Sequence, residues 1–262
     1  MNSRWRINEE DTISRLYLLG TGSSVTDPHR TTTMLALENG KGTIAVDCGG
    51  DLVQKILAAG LEIEALEALV ITHGHPDHVV GFPLVMQRLW LHGRRRPLPV
   101  FGPSSALQIA RRLWDVFDLS GCDGMPPIAW NELPVSSGSQ ILQSGPWEMW
   151  YAPGTHSLES IGLRFRDSDS GVIVTYSSDT EPDPRIVSLA KDADILVHEA
   201  TGPELGHTSV LGAADVAAQA QAKRLILVHL PPTDQISADM MSSAVARFPN
   251  TELGTEGGVY EL

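Results

Sequence analysis

The segment Thr72-His-Gly-His-Pro-Asp-His78, read with the isolated His156, Asp179 and His229, constrains this 262-residue chain more than any other feature. It supplies seven potential ligands of the kinds that hold two zinc ions: His73, His75, Asp77, His78, His156, Asp179 and His229. Neutral imidazoles suit zinc, and carboxylate oxygens can bind or bridge it. A set so scattered along the chain demands a fold that brings distant loops together, and its chemistry points to metal-assisted hydrolysis. In an extended backbone His73, His75 and Asp77 share one side, because side chains alternate with period two. His78 is then expected to point elsewhere, toward a second metal.

A chain of this length can build a substantial core, and one domain over residues 1–262 is expected. The formal charge of -13 makes the surface a poor attractor of long nucleic acid, which would need a local basic patch working against that field. The start, MNSRWRINEEDTISR, has no apolar stretch after its basic residues, and no run approaches a membrane span. A soluble cytoplasmic protein is expected. Cys48 and Cys122 are too few for a disulfide framework, so reduced thiols are expected.

Strands are expected at 16–19, 43–46, 69–71, 100–101, 148–151, 161–165, 172–176, 195–197 and 225–228. Helical patterns fill 52–59, 79–91, 105–116, 213–220 and 238–247, while Pro126, Pro127 and Pro134 punctuate a loop-rich middle. The alternation is that of an α/β chain. Against it, the seven ligands fall just after apolar strands: His73 and His75 after Leu-Val-Ile-Thr, His156 after a Pro-Gly turn, Asp179 after Val-Thr-Tyr, His229 after Leu-Ile-Leu-Val. Loops at one edge of a sheet can converge there while the strands hold them rigid.

These segments resemble the metallo-β-lactamase superfamily, and within it the ribonuclease Z and cyclic-nucleotide phosphodiesterase branch. The resemblance runs through Leu-Gly-Thr-Gly-Ser at 19–23, Ala-Val-Asp-Cys-Gly at 45–49, THGHPDHVVG at 72–81, Pro-Gly-Thr-His-Ser at 153–157 and Tyr-Ser-Ser-Asp-Thr at 176–180. It continues through Leu-Val-His-Glu-Ala-Thr at 196–201, Gly-His-Thr-Ser at 206–209 and Leu-Ile-Leu-Val-His at 225–229. It implies a four-layer αβ/βα sandwich and a site for two Zn2+ ions, with Mn2+ or Fe2+ also compatible with mixed nitrogen and oxygen ligands. By position, His73, His75 and His156 would hold one metal and Asp77, His78 and His229 the other, with Asp179 bridging; Asp77 counts among the catalytic residues too. Metals roughly 3.5 to 4 Å apart can share an acidified water and neutralise phosphodiester oxygens.

An alkoxide leaving a phosphodiester needs a proton, and a His held by a carboxylate can be tuned to donate it. His207 and Glu199 match the family's proton-donating pair, which makes His207 the expected general acid and Glu199 its orienting partner. The plainer alternative is a helix-start Glu and a loop His. His29 is expected in a turn, His92 in a solvated basic loop with Arg94, Arg95 and Arg96, and His198 in a structural hydrogen bond. Trp147 and Trp150 suit strand packing better than base stacking. The three arginines could still steer a small anion.

Ribonuclease Z enzymes that process transfer RNA usually carry a long basic arm between the positions matching His156 and Asp179. Here 157–178 holds about one β-hairpin, and His229 is followed by Leu-Pro-Pro-Thr where that family has an aromatic and an Arg nearby. With the acidic charge, these departures favour a small-molecule phosphodiester over long nucleic acid. The expectation is a zinc-dependent phosphodiesterase, with 3′,5′-cyclic nucleotides the preferred substrates. The alternatives are a ribonuclease Z-like RNA 3′-end endonuclease lacking the arm, a lactonase, β-lactamase or arylsulfatase type of hydrolase, and a non-catalytic binding module. Family resemblance also implies a homodimer.

Overall fold

The computed structural model describes residues 13–135, 140–144 and 147–262. The amino-terminal segment read above therefore lies, through residue 12, outside the described residues. The chain runs β1 (Arg15–Gly20), β2 (Met34–Glu38), β3 (Thr43–Val46), α1 (Leu52–Ala58), β4 (Leu66–Val70), α2 (Pro76–Val79), α3 (Phe82–Leu91), β5 (Leu98–Gly102), α4 (Ser104–Val116) and β6 (Ile128–Glu132). It continues with β7 (Gln140–Ser144), β8 (Trp147–Pro153), β9 (Ile161–Asp167), β10 (Ile173–Tyr176), α5 (Pro184–Leu189), β11 (Ile195–Glu199), α6 (Val210–Ala220), β12 (Leu225–Val228), α7 (Ala238–Arg247), β13 (Thr251–Leu253) and β14 (Val259–Glu261).

Two seven-stranded sheets form, in the orders β14-β1-β2-β3-β4-β5-β6 and β13-β12-β11-β10-β9-β8-β7. Strand alternation explains how they pack. Leu16, Leu18, Leu35, Leu37, Ile44 and Val46 face Leu163, Phe165, Val174, Val197 and Ile226 in one core between the sheets. Tyr17, Leu19, Met34 and Ala36 point the other way, into a second core with α1, α3 and α4. The outer face of the other sheet meets α5 and α6 through Leu196, Leu225 and Leu227. Covered on both faces, inner strands such as Leu225-Ile-Leu-Val read as continuous apolar runs. The result is the expected four-layer αβ/βα sandwich.

Several elements depart from the expected set. The run 79–91 breaks at Gly81, which starts α3 while Pro83 occupies that helix's first turn. A Cβ at Gly81 would lie 2.4 Å from the carbonyl oxygens of both Cys48 and Gly50, so the break lets the 47–50 loop pack on the chain. Met34-Leu-Ala-Leu-Glu has helix-forming composition, yet it is a buried strand between β1 and β3. The loop-rich middle contains β6 and β7. The two cysteines are free, Cys48 being buried.

Asp167, at the end of β9, ties the sheets together. Its Oδ2 accepts from Ser14 Oγ at 2.7 Å and Ser170 Oγ at 2.7 Å, and its Oδ1 from Asn39 Nδ2 at 3.2 Å and Asp169 N at 3.1 Å. Burial opposes the charge, but these donors outweigh it and hold the carboxyl at about 2. Because the folded value lies below the unfolded one, the stabilisation, about 2 kcal/mol, is complete at neutral pH and lost as pH falls through the unfolded value toward 2. Asp167→Ala is expected to lower urea stability at pH 7 by about that amount, with the gap to wild type narrowing near pH 3. An equal gap at both pH values would contradict it.

Candidate metal centre

Strand direction brings the candidate residues to one edge. β3 and β4 run parallel in one sheet, and β10, β11 and β12 in the other; β8, antiparallel to β9 as is β10, shares their direction. Their carboxyl ends deliver Asp47, His73 and His75, His156, Asp179, Glu199 and His229 to the same place. Three of these ends carry non-glycine residues in the left-handed region: Asp47 (φ 61), Ser178 (φ 53) and His229 (φ 52). Such backbone costs on the order of 1–3 kcal/mol and persists where the surroundings over-determine it.

All seven expected ligands come together. His73, His75, His156 and Asp179 form one group and Asp77, His78 and His229 another, with ligand atoms within 4.8 Å in each. In the first, His75 Nδ1 lies 3.1 Å from His73 Nε2 and 3.0 Å from His156 Nε2. In the second, His229 Nε2 lies 3.2 Å from Asp77 Oδ2 and 3.4 Å from His78 Nε2. Asp179 reaches both, at 3.7 Å from His73 Nε2, 3.6 Å from His78 Nε2 and 3.4 Å from His229 Nε2.

The partition corrects one expectation. Period-two alternation groups Asp77 with His73 and His75 and turns His78 away; instead Asp77 and His78 act together. Pro76 starts α2 after His75, so the backbone coils and adjacent side chains no longer oppose one another. Gly49 makes this possible, since a Cβ there would sit 1.7 Å from the Asp77 carbonyl oxygen.

Outer hydrogen bonds orient the rings. Asp47 Oδ2 meets His78 Nδ1 at 2.8 Å, the Gly206 carbonyl accepts from His156 Nδ1 at 2.7 Å, and Thr201 Oγ1 meets His229 Nδ1 at 2.7 Å. Each leaves Nε2 turned inward, as ligating histidines require. Asp47 in turn accepts from Thr72 N and Oγ1. Asp47, Thr201 and Gly206 were missed as site residues. Asp47 had a signal, because it follows β3 as the ligands follow their strands.

The donor set fits divalent metal ions. Burial pushes His73 and His75 below the usual imidazole range, keeping them neutral lone-pair donors. Burial opposes charge on His78 too, but Asp179 and Asp47 outweigh it and raise its proton affinity. Asp179 is likewise held far below the usual carboxyl range against burial, by His229, His78 and His73. Its Oδ1 is buried without a hydrogen-bond partner. Inward lone pairs, an orphaned carboxylate oxygen and an imidazole drawn toward protonation all describe a pocket short of positive charge. Asp47→Asn is expected to weaken metal binding 10- to 100-fold without unfolding the protein, as competition with a chelating dye would measure.

Glu199 is fully buried and accepts four hydrogen bonds: from Thr180 N, Thr208 N and His207 Nδ1 on Oε1, and from Thr201 N on Oε2. The His207 contact, 3.0 Å, raises the imidazole's proton affinity. His207 stacks on His229 with centroids 5.8 Å apart and meets His156 edge-on at 5.0 Å. One of its ring nitrogens lies within 4.8 Å of ligand atoms of Asp179 and His229.

The other candidates stay outside. His29 is exposed in a turn closed by its N–H to Asp27, and His92 is exposed after α3. His198 is buried with Nδ1 2.8 Å from the Glu199 carbonyl. Trp147 packs between the sheets and Trp150 against the outer core. Two members of the basic run have structural partners. Arg94 is fully buried and donates to the carbonyls of Ile63, Arg96 and Pro97, while Arg96 pairs with Glu67 at 3.0 Å. These residues precede β5, at the strand ends opposite the metal loops. Among the described residues no helix is long and apolar enough to cross a membrane.

Known proteins share this fold. A family model described as Beta-lactamase superfamily domain matches residues 43–230. A ribonuclease Z of Methanothermobacter thermautotrophicus is 24% identical over 298 aligned positions, covering 91% of this chain and 93% of its own. That span exceeds the residues this chain contributes, so the relative carries insertions absent here. Among solved structures, the metallo-beta-lactamase fold protein YhfI from Bacillus subtilis superposes with a TM-score of 0.80 at 19% identity, covering 96% of this chain and 100% of that one. The short form of human tRNase Z gives 0.76 at 21% identity, covering 94% and 98%. With matching sequence across most of its length and the ligand loops gathered at one sheet edge, the chain belongs to the beta-lactamase superfamily, in its ribonuclease Z-like branch, and is a metal-dependent hydrolase.

Proposed function

We propose that the protein is a dinuclear phosphodiesterase acting on small phosphodiesters, with 3′,5′-cyclic nucleotides its preferred substrates. The observation that carries this reading is the buried Glu199 holding His207 beside the two ligand groups. Hydrolysis of a carbonyl ester with a good leaving group needs no such donor; an unactivated phosphodiester does. His73, His75 and His156 would hold one ion and Asp77, His78 and His229 the other, with Asp179 between them. Two such ions, zinc or alternatively manganese or iron, supply an acidified water and charge for the phosphoryl oxygens.

The chain's own groups do the remainder. Glu199 fixes Nδ1–H of His207, so Nε2 is the nitrogen that carries the transferable proton. As water adds to phosphorus, the bond to the departing oxygen breaks, its electron pair passes to that oxygen, and Nε2 gives it a proton. Asp47, Gly206 and Thr201 hold the ligand rings in place.

A second reading, cleavage of RNA 3′ ends, is favoured by the named ribonuclease Z relative. Against it, β9 and β10 pair directly as an antiparallel hairpin between His156 and Asp179, leaving no basic arm there. The charge of -13 also gives little for a polyanion to release counterions against. We take the protein to be a cytoplasmic homodimer. Metal-loaded enzyme assayed in parallel on four 3′,5′-cyclic nucleotides, a transfer RNA precursor and a lactone separates the readings. Turnover of a cyclic nucleotide is expected; clean RNA cleavage without it would replace the first reading with the second.

A further inference from the structure

We propose that the cleft beyond His207 receives the departing alcohol and that Glu204 makes it select alcohols bearing no second negative charge. This rests on the phosphodiesterase reading above. The cleft holds about 390 Å³; its lining includes Glu181, Pro182, Pro203, Glu204, Leu205 and His207, together with Ser209 at the start of α6. His229 stacks on one face of the His207 ring and His156 approaches it edge-on, so the ligand cluster occupies those directions. His207 is also one of the residues that line the cleft, on the loop that carries Glu204. An oxygen that takes its proton from His207 has its phosphorus toward the ligand groups, which sends the rest of the departing group away from them, along the cleft.

The walls define what can be accepted there. Pro182, Pro203 and the 89% exposed Leu205 offer apolar contact. Glu181 is held by Gly206 N on its Oε1 at 3.0 Å, and neither it nor Glu204 belongs to an ion pair among the described residues. Glu204 is fixed to the general-acid loop through its carbonyl, which accepts from His207 N at 3.0 Å. No Lys or Arg is among the lining residues. A phosphate or carboxylate on the departing alcohol would therefore meet the like charge of two carboxylates that no ion pair compensates. A polynucleotide, whose departing end carries further phosphates, is disfavoured at this step, whereas a neutral or cationic alcohol is not.

Three methyl phenyl phosphodiesters test the idea with metal-loaded full-length protein: the departing phenol carries no nitro group, so that it leaves with a proton, and is unsubstituted, bears a carboxylate, or bears a trimethylammonium group. Each substrate is its own control across variants, so differences in leaving-group acidity cancel. Glu204→Lys is expected to raise kcat/KM for the carboxylate substrate about tenfold at low ionic strength and lower it similarly for the cationic one, leaving the unsubstituted substrate within about twofold. Glu204→Gln should fall between wild type and Glu204→Lys, and added salt should compress the differences. A Glu204→Lys effect equal on all three substrates would overturn the assignment while leaving the phosphodiesterase reading intact. Failure of the metal-loaded wild type to cleave any of them would overturn both.

Discussion

Asp179→Ala is expected to remove both metal ions and to lower phosphodiester turnover by on the order of a thousandfold, about 4 kcal/mol of transition-state stabilisation. The expectation follows from its position. Its carboxylate lies 3.7 Å from His73 Nε2 in one ligand group and 3.6 and 3.4 Å from His78 and His229 in the other, which places it between the two groups. Its buried Oδ1 has no hydrogen-bond partner among the described residues, which leaves a lone pair free for a ligand bond. His75→Ala, which touches only the first group, should lose one ion and keep the second. Elemental analysis of purified, metal-reloaded variants distinguishes them. Two retained equivalents in Asp179→Ala, with near-normal turnover, would refute a shared bridging ligand. Equal loss from Asp179→Ala and His75→Ala would mean that the two groups fill only together.

The contrast between these residues also explains what was readable from sequence. The ligands were legible because each stands immediately after an apolar run, and strand ends at one sheet edge are where an α/β scaffold can make loops converge. The sandwich was legible for a related reason, since runs such as Leu225-Ile-Leu-Val leave no solvent face. The partition that sets Asp77 beside His78 was implied by the family resemblance but was not legible from strand alternation. It depends on α2 beginning at Pro76 and on the Asp77 carbonyl lying against Gly49, a contact between segments 28 positions apart in the numbering. Asp47 shared the strand-end signal, but its role as the partner of His78 shows only where their side chains meet at 2.8 Å. Arg94 shows the opposite error: a run of arginines looks solvated, yet one of them is consumed by three backbone carbonyls.

His207→Ala is the sharper test of the chemistry, because its effect should depend on the bond being broken. With an unactivated diester, whose departing alkoxide needs a proton, turnover is expected to fall about 10²- to 10⁴-fold. With a nitrophenyl diester, whose leaving group departs as a stable anion, the loss should stay within about tenfold. A merely structural role predicts equal losses on both, since a distorted site would not know which oxygen was leaving. The geometry argues against distortion: the His207 side chain makes one hydrogen bond, to Glu199, while the three backbone donors on Glu199 come from Thr180, Thr201 and Thr208 and survive its removal. Unchanged metal content in His207→Ala is therefore expected alongside the selective loss. Loss of metal would instead make His207 a further ligand of the second site beside Asp77, His78, His229 and Asp179, an outcome that its 4.8 Å grouping with Asp179 and His229 makes worth measuring directly. Glu199→Gln completes the comparison: it keeps acceptors for the backbone donors through its carbonyl but weakens the hold on His207 Nδ1, so its losses should follow the same leaving-group order at smaller magnitude.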